Sequence, residues 1–506
     1  MEAQSRGLPL ASAVAADARL VKGLQRVVQG DAWEGVPLAS AVHWFVNILR
    51  RHGKLTPAQC RPRAALAELA LALAHPRPWL YALQRRTPLA AAQGRNRIWV
   101  PAGGHQDRTV RLWEPPARAL GPTECLVVAV GRSQRNRLPS GLPYVILNEQ
   151  PAAWLATRRW VLARLGRWLR ELAGLCAEMG FAPAARWRLA AQLVAQVGKV
   201  GQVLRLQQRY SPRAAVVDWD RAPVGAALCA VLASRGIPTF TLVHGAFGAQ
   251  NHAAFLPLAA QYVLTWGDVQ ADLLRRAGVP AERLIPVGVF DPRPTREPLD
   301  STERDRRLAQ LGAAPGQPVV VVGLTCLPVS ERPLWAKVLT ELHHRLPGPV
   351  ILARLHPSNR REQFAGLLEE SPRLRLVDDR MISARDTLAL ADAVVVDSSS
   401  FGFDALQRGI PVAVLEPPDG SGYLSVMLEA AEAGAALYAR DNGELAAHLR
   451  TLLTDAAVRG RLLERARAFE VRYVHAYGQD ALDRLKTVLD AVLSEARKPG
   501  QRGGSG

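Results

Sequence analysis

Two short runs in the C-terminal half of the chain hold residues suited to managing a phosphate. Arg354 and His356 close PVILARLHP, and Ser398, Ser399 and Ser400 close AVVVDSSS. Residues two apart in a strand share a face, so Arg354 and His356 would stand side by side. A cation beside an imidazole suits a phosphate whose leaving charge must be neutralised. Serines that precede a helix cap its free amides, and those amides and the helix dipole draw anions. Gly402 would let backbone approach a ligand closely. Each feature also has a plain reading. The serines could serve as caps only, with Asp404 favourable in the first turn. His356 could mark the turn before Pro357, and Arg354 could pair with a structural carboxylate.

A second set lies earlier. Asp218 and Asp220 end AAVVDWD, His244 and Gly245 end TFTLVHG, and Glu149 ends PYVILNE. A histidine neutral near pH 7 is a suitable general base for an acceptor hydroxyl. Asp218 and Asp220 compete for that role, or cap the helix beginning near Pro223. A satisfied core histidine is the plain reading of His244. Gly245 and Glu149 are placed with the acceptor side of the cleft.

The elements that would carry these residues alternate. Strand patterns at ECLVVAV, PYVILNE, AAVVDWD, IPTFTLVHG, AAQYVLTWG and RLIPVGVF are separated by helical stretches. The alternation restarts with QPVVVVGLT, PVILARLHP, RLRLVDD, AVVVDSSS and PVAVLE. Apolar strands alternating with helices predict parallel sheets covered on both faces, and ligands bind at the strand C-termini of such sheets. The expected fold is α/β, with two doubly wound Rossmann-like domains facing a cleft and an N-terminal helical extension. The expected boundaries are 1–120 for the extension, 121–297 for the acceptor domain, 298–317 for a linker with a short helix, 318–495 for the donor domain and 496–506 for a disordered tail.

The chain has 506 residues, too many for one ordinary core. No apolar run reaches the roughly 18 to 20 residues of a membrane span. The first twenty residues make a poor signal peptide. Cys60, Cys125, Cys176, Cys229 and Cys326 never form a CxxC pair, which argues against a disulfide framework and a zinc site. A reduced cytoplasm is the expected home. Net charge is +19, and only six of the 64 basic residues are lysines. That charge suits polyanionic partners or reflects arginine-rich codon usage. No nucleic acid is expected, because no recognition motif is present and aromatics do not interleave with the basic residues. In RRWVLARLGRWLRELAG, Trp160, Leu165, Trp168, Leu169 and Leu172 share one helical face. Packing on the first sheet is the favoured reading, and contact with an anionic membrane surface is the other.

Taken together, R-L-H-P at 354–357 and V-V-D-S-S-S-F-G-F-D-A-L at 395–406 resemble the motifs of GT-B glycosyltransferases that build bacterial surface polysaccharides. CDP-glycerol glycerophosphotransferases, Kdo transferases and bacterial sialyltransferases carry versions of them. V-H-G at 243–245 is similar to a His-Gly of the glycerophosphotransferases. The resemblance spans about residues 121 to 480. It implies that His356, Ser399 and Ser400 hold the donor phosphate, with Ser398 as a register alternative, and that His244 is a candidate base. The Kdo and sialic acid enzymes favour a carboxylate, which points to Asp218 or Asp220.

UDP-N-acetylglucosamine 2-epimerase is a second resemblance, but its phosphate loop carries adjacent glutamates where this chain has Phe403 and Asp404. That departure favours transfer over epimerisation. The expected function is transfer of a sugar or polyol phosphate from a CMP-, CDP- or UDP-linked donor to a surface polysaccharide or lipid-linked glycan. No metal or other cofactor is expected, and the expected place of action is the cytoplasm or the inner face of its membrane. The alternatives are an epimerase-like enzyme and a non-catalytic scaffold of a polysaccharide assembly complex.

Overall fold

The computed structural model describes residues 10–42, 49, 54–74, 95–102, 107–131, 138, 140–149, 154–250, 255–295, 299–325, 327, 329–420 and 424–496. Two parallel sheets organise them. The first holds β1 (Ile98–Ala102), β2 (Cys125–Ala129), β3 (Tyr144–Ile146), β4 (Ala214–Val217), β5 (Thr239–Leu242), β6 (Tyr262–Thr265) and β7 (Leu284–Pro286). Their order is β3-β2-β1-β4-β5-β6-β7, every pair parallel. The second holds β8 (Val319–Gly323), β9 (Val350–Arg354), β10 (Leu374–Val377), β11 (Ala393–Val396), β12 (Val412–Leu415) and β13 (Leu437–Ala439), in the order β10-β9-β8-β11-β12-β13. Each sheet reverses its winding once, between β1 and β4 and between β8 and β11. Loops diverge at such reversals and leave a crevice at the strand C-termini.

The strands are largely apolar because both faces are covered. Successive side chains of one strand enter different cores. Trp99, Leu126 and Val128 pack with the helices Trp154–Glu178 and Ala185–Tyr210, whereas Ile98, Val100 and Val127 pack with Trp113, Ala117 and Leu120. In the second domain Val319 and Val321 face one core, and Val320 and Val322 face the other.

Three boundaries differ from the sequence reading. Ile98–Ala102 was expected within a helical extension, yet it is a central strand of the first sheet, hydrogen-bonded between β2 and β4. Pro101 within it hides the strand signal, since proline is rare in central strands. The helices Leu10–Val27 and Pro62–Ala74 bury Leu20, Leu24 and Leu69 in the same core as Ala185–Tyr210, so they belong to the first domain. The last helix, Gly478–Ala496, leaves the second domain and buries Leu485, Leu489 and Leu493 against Trp113 and Leu120 of the first. Residues 497–506 of the expected tail lie outside the described residues.

The linker helix Ser301–Gln310 is capped by Asp300, which accepts from the Glu303 amide at 2.8 Å. It docks on the second domain through Leu308 and the Arg307–Asp386 ion pair.

The two domains meet where the chain returns. Val289 N–H donates to the Ala476 carbonyl at 2.9 Å, and His475 N–H donates to the Trp266 carbonyl at 2.8 Å. A Cβ on Gly288 (φ 109°) would lie 2.3 Å from the Ala476 oxygen, and one on Gly267 would lie 2.6 Å from the Tyr473 oxygen. Only glycine allows this approach. Beside it, the fully buried Tyr473 hydroxyl accepts from the Phe247 N–H (2.7 Å) and donates to the Phe247 carbonyl (2.6 Å). Gln270 Nε2 donates both to that hydroxyl and to the Gly245 carbonyl, each at 3.2 Å.

Tyr473→Phe therefore strands buried polar groups on the 244–250 loop. Its expected cost is about 2 kcal/mol or more, read as a lower urea midpoint for unfolding. An unchanged midpoint would show that the hydroxyl does not hold the loop.

Candidate functional site

In the second domain the reversal between β8 and β11 is lined by the ends of those strands. Asp397, buried at the end of β11, accepts from the Ser398 amide at 2.5 Å and from Thr325 Oγ1 of the loop after β8 at 3.4 Å. Burial raises its carboxyl to about 6, while the bonds from Ser398 and Thr325 pull the other way. Ser399 is the N-cap of the helix Ser400–Gln407, and its Oγ accepts from the Phe401 amide at 3.3 Å. Ser400 is exposed and Ser398 is half-buried at the same helix start. Capping is thus present at Ser399, and the exposed hydroxyl is that of Ser400.

Gly402 differs from expectation. It is buried, and a Cβ there would lie 2.6 Å from Val396 Cγ2 and 2.9 Å from Met427 Sδ. Its smallness serves helix-on-strand packing and not approach to a ligand.

His356 is half-buried in the loop after β9, with Nδ1 accepting from the Ser358 amide at 3.1 Å. That bond leaves Nε2 as the N–H of the neutral ring. Asn359 fixes the loop by bonding both the N–H and the carbonyl of Leu327 at 3.1 Å. β9 and β11 flank β8, so His356 and the serines stand two strand spacings apart, roughly 10 Å.

Arg354 does not join them. Its guanidinium is buried and donates to the Ile382 carbonyl (2.8 Å), to Thr387 Oγ1 (3.0 Å) and to Asp379. The structural carboxylate is the outcome, because a strand end beside β10 turns this side chain toward the 378–387 segment.

In the first domain the reversal lies between β1 and β4. Asp218 is buried at the end of β4, and burial raises its carboxyl to about 6. His244 is half-buried after the neighbouring β5, its ring 5.1 Å from Trp219 and 5.4 Å from Phe255 between centroids. Adjacent strands thus bring His244 and Asp218 to one end of the sheet. Asp220 is turned to structure: Oδ2 accepts from the amides of Ala259 (2.7 Å) and Ala260 (2.9 Å), and its N–H donates to Thr241 Oγ1 (3.3 Å). Gly245 is buried behind His244, its carbonyl held by Gln270. Glu149 ends the 3-10 turn Leu147–Glu149 after β3, and its side chain lies outside the described residues.

The loop that carries His244 continues into the second domain. Gln250 Oε1 accepts from the amides of Leu424 (2.6 Å) and Ser425 (3.0 Å), and Glu429 Oε1 accepts from the Ala249 amide (2.6 Å). Burial raises the Glu429 carboxyl. Gly248 is required here, since a Cβ would fall 1.9 Å from Glu429 Oε2. None of Thr325, Asp397, Gln250, Glu429 or Tyr473 was singled out as a site residue from sequence. Asp397 carried a readable signal, an acid ending an apolar strand ahead of the serines. The partners 180 residues apart carried none.

The apolar face of the helix Trp154–Glu178 is packed: Trp168 and Leu172 are fully buried, and Trp160, Leu165 and Leu169 lie against the same core. Trp168 Nε1 donates to the buried Asp31 at 2.8 Å. Among the described residues, no group of three or more His, Cys, Asp or Glu could hold a metal ion, and no helix is long and apolar enough to cross a membrane. Cys60, Cys125, Cys176 and Cys229 are buried and free, and Cys326 lies outside the described residues.

No protein-family model matches the chain, and no curated protein matches it in sequence. Solved structures do match in fold. A putative UDP-N-acetylglucosamine 2-epimerase from Listeria monocytogenes superposes with a TM-score of 0.50 at 14% identity, over 80% of this chain and 99% of that one. A glycosyltransferase from Rickettsia africae gives 0.50 at 10% identity, over 80% and 100%. The likeness shows the fold, the two-domain α/β architecture of GT-B proteins.

Asp218 and Asp397 make a testable pair. Both carboxyls sit at about 6 in the folded chain against 3.8 for the free group. Below the free value both states hold the proton and neither site opposes folding. As pH rises through 4 to 6 and beyond, the unfolded chain ionises freely while the folded chain must bury the charge, so stability falls. Asp397→Asn and Asp218→Asn should therefore gain on the wild type between pH 4 and pH 7.5, by on the order of 2 kcal/mol each. Urea midpoints at the two pH values measure this, and an equal gap at both would contradict it.

Proposed function

We propose that the chain is a glycosyltransferase that moves a sugar or polyol phosphate from a nucleotide-activated donor to an acceptor hydroxyl. The observation that carries this reading is the pairing of two strand-end sites of opposite character. One offers hydrogen-bond donors for an anion, namely Ser400 and the helix start capped by Ser399, with the Nε2–H of His356 nearby. The other offers proton acceptors, His244 and Asp218, at the reversal of the first sheet. The fold shared with the Rickettsia africae glycosyltransferase supports it.

In this scheme the acceptor O–H gives its proton to His244 or Asp218 as its oxygen attacks the anomeric carbon of a sugar donor, or the phosphorus of a polyol-phosphate donor. The bond from that atom to the phosphate oxygen of the nucleotide breaks, and the nucleotide leaves with the electron pair. Ser399, Ser400, the helix amides and the His356 N–H stabilise the charge that develops. Ser398 remains the register alternative. A base with a pKa near 6 is neither fully protonated nor too weak at neutral pH, which suits Asp218 to the task. No step calls for a metal, so transfer should persist in EDTA.

Phe403 favours transfer over epimerisation. It is buried against Tyr473 (4.7 Å between ring centroids) and Trp266 (6.3 Å), so no acidic pair stands at that helix turn. The acceptor class proposed is a surface polysaccharide or lipid-linked glycan. Arg158, Arg159 and Arg170, exposed on the outer side of the helix Trp154–Glu178, support peripheral contact with anionic lipid on the cytoplasmic side.

Calorimetric titration with CMP, CDP and UDP tests the donor assignment: one should bind, and binding of none would favour a scaffold. With that donor saturating, His356→Ala should lower turnover by a factor on the order of a hundred. Wild-type turnover in the variant would remove His356 from the chemistry. Consumption of donor without acceptor would point to an epimerase or hydrolase.

A further inference from the structure

Arg221 follows the Asp218–Asp220 segment at the end of β4 and is 4% exposed. Its guanidinium carbon lies 4.5 Å from the Phe255 ring centroid and 5.7 Å from that of Trp219. Both rings lie within cation–π reach of the guanidinium and attract it there. Its in-plane donors are a different matter. Nε is 3.5 Å from Asp220 Oδ1, close enough for charge pairing but not aligned to donate, and neither Nε nor Nη1 has a hydrogen-bond acceptor among the described residues. Asp220 cannot turn to meet them, because its Oδ2 already holds the Ala259 and Ala260 amides. A buried guanidinium with idle N–H groups is costly unless something occupies its edge. The side of the cluster that meets solvent is formed by the half-buried Trp219 and His244, and His244 is 5.4 Å from the same Phe255 ring.

We propose that Arg221 is an oxyanion-binding residue of the acceptor side, taking a phosphate or carboxylate carried by the acceptor and holding it next to His244. The planar donors of arginine match both groups in a way a lysine ammonium does not. Asp220 balances the cation when the site is empty, and the acceptor's charge completes the donors' bonding when it is filled. The inference rests on the transferase reading for the word acceptor, though the anion site itself needs only the first domain.

The test is calorimetric titration of the full chain with glucuronate and with glycerol phosphate, each against its neutral counterpart, glucose or glycerol. The charged probes should bind saturably and the neutral ones at least about tenfold more weakly. Whichever charged probe binds tighter identifies carboxylate or phosphate as the group. Arg221→Met should weaken the charged probes by about tenfold or more, and Arg221→Lys should recover only part of that. UDP titrated into the same variants reports on the second domain. Unchanged charged-probe affinity in a variant that binds UDP like the wild type would overturn the proposal. If Arg221→Met does not fold, the wild-type arm decides, and neutral probes binding as tightly as charged ones would overturn it. Failure of the wild type to bind any of UDP, CDP or CMP would instead remove the transferase reading while leaving the anion site to stand or fall on its own probes.

Discussion

The buried hydroxyl of Tyr473 is the interaction on which the arrangement of both sites depends. It closes on the N–H and the carbonyl of one residue, Phe247, and takes a third bond from Gln270. Phe247 lies three residues from His244, and Tyr473 ends the helix Ala456–Tyr473 that packs behind the serine-bearing helix. One oxygen atom therefore ties the base candidate of the first domain to the scaffold of the phosphate candidate in the second. Gly267, Gly288 and Gly248 make the tie feasible, since any side chain there would meet backbone or carboxylate at 2.6 Å or less.

The same logic explains where charge is tolerated. Both sheets are buried on each face, so a carboxylate is best tolerated where a strand runs out. Asp218 and Asp397 occupy equivalent strand ends, at the reversal of each sheet, and both are raised to about 6 by burial. Asp220, two residues further, avoids a cleft role by accepting two amides. Two acids in one DWD run thus differ in their partners: Asp220 accepts the distant Ala259 and Ala260 amides, whereas among the described residues Asp218 accepts only from backbone of its own strand end, against a larger effect of burial.

Much of the fold was legible in the sequence because parallel strands are continuous apolar runs with turns at even spacing. Eleven strands could be read from such runs, AVVVDSSS and PVILARLHP most clearly. Ile98–Ala102 escaped because Pro101 interrupts its pattern, although only the β1 register with β2 and β4 makes it central. The C-terminal helix escaped for another reason: its amphipathic face does not state which domain it covers. At the sites, residue types were legible but orientation was not. Gly402 looked like a ligand-facing glycine and proved to be wedged between Val396 and Met427.

Arg354 and Arg221 show most directly what decides the role of a charged residue here. Both are buried arginines at strand ends beside a histidine in sequence or space. Arg354 has both terminal nitrogens engaged, with a carbonyl, a hydroxyl and a carboxylate at its edge, so a phosphate would have to displace bonds worth as much as it could offer. Arg221 has two aromatic rings within reach of its cation and, beyond the charge pairing of Nε with Asp220, no aligned acceptor for Nε or Nη1 among the described residues. Sequence spacing favoured the first as a ligand-binding residue, because two residues from a histidine is a readable interval. The state of the guanidinium edge favours the second, because binding capacity belongs to donors that the fold has left unspent.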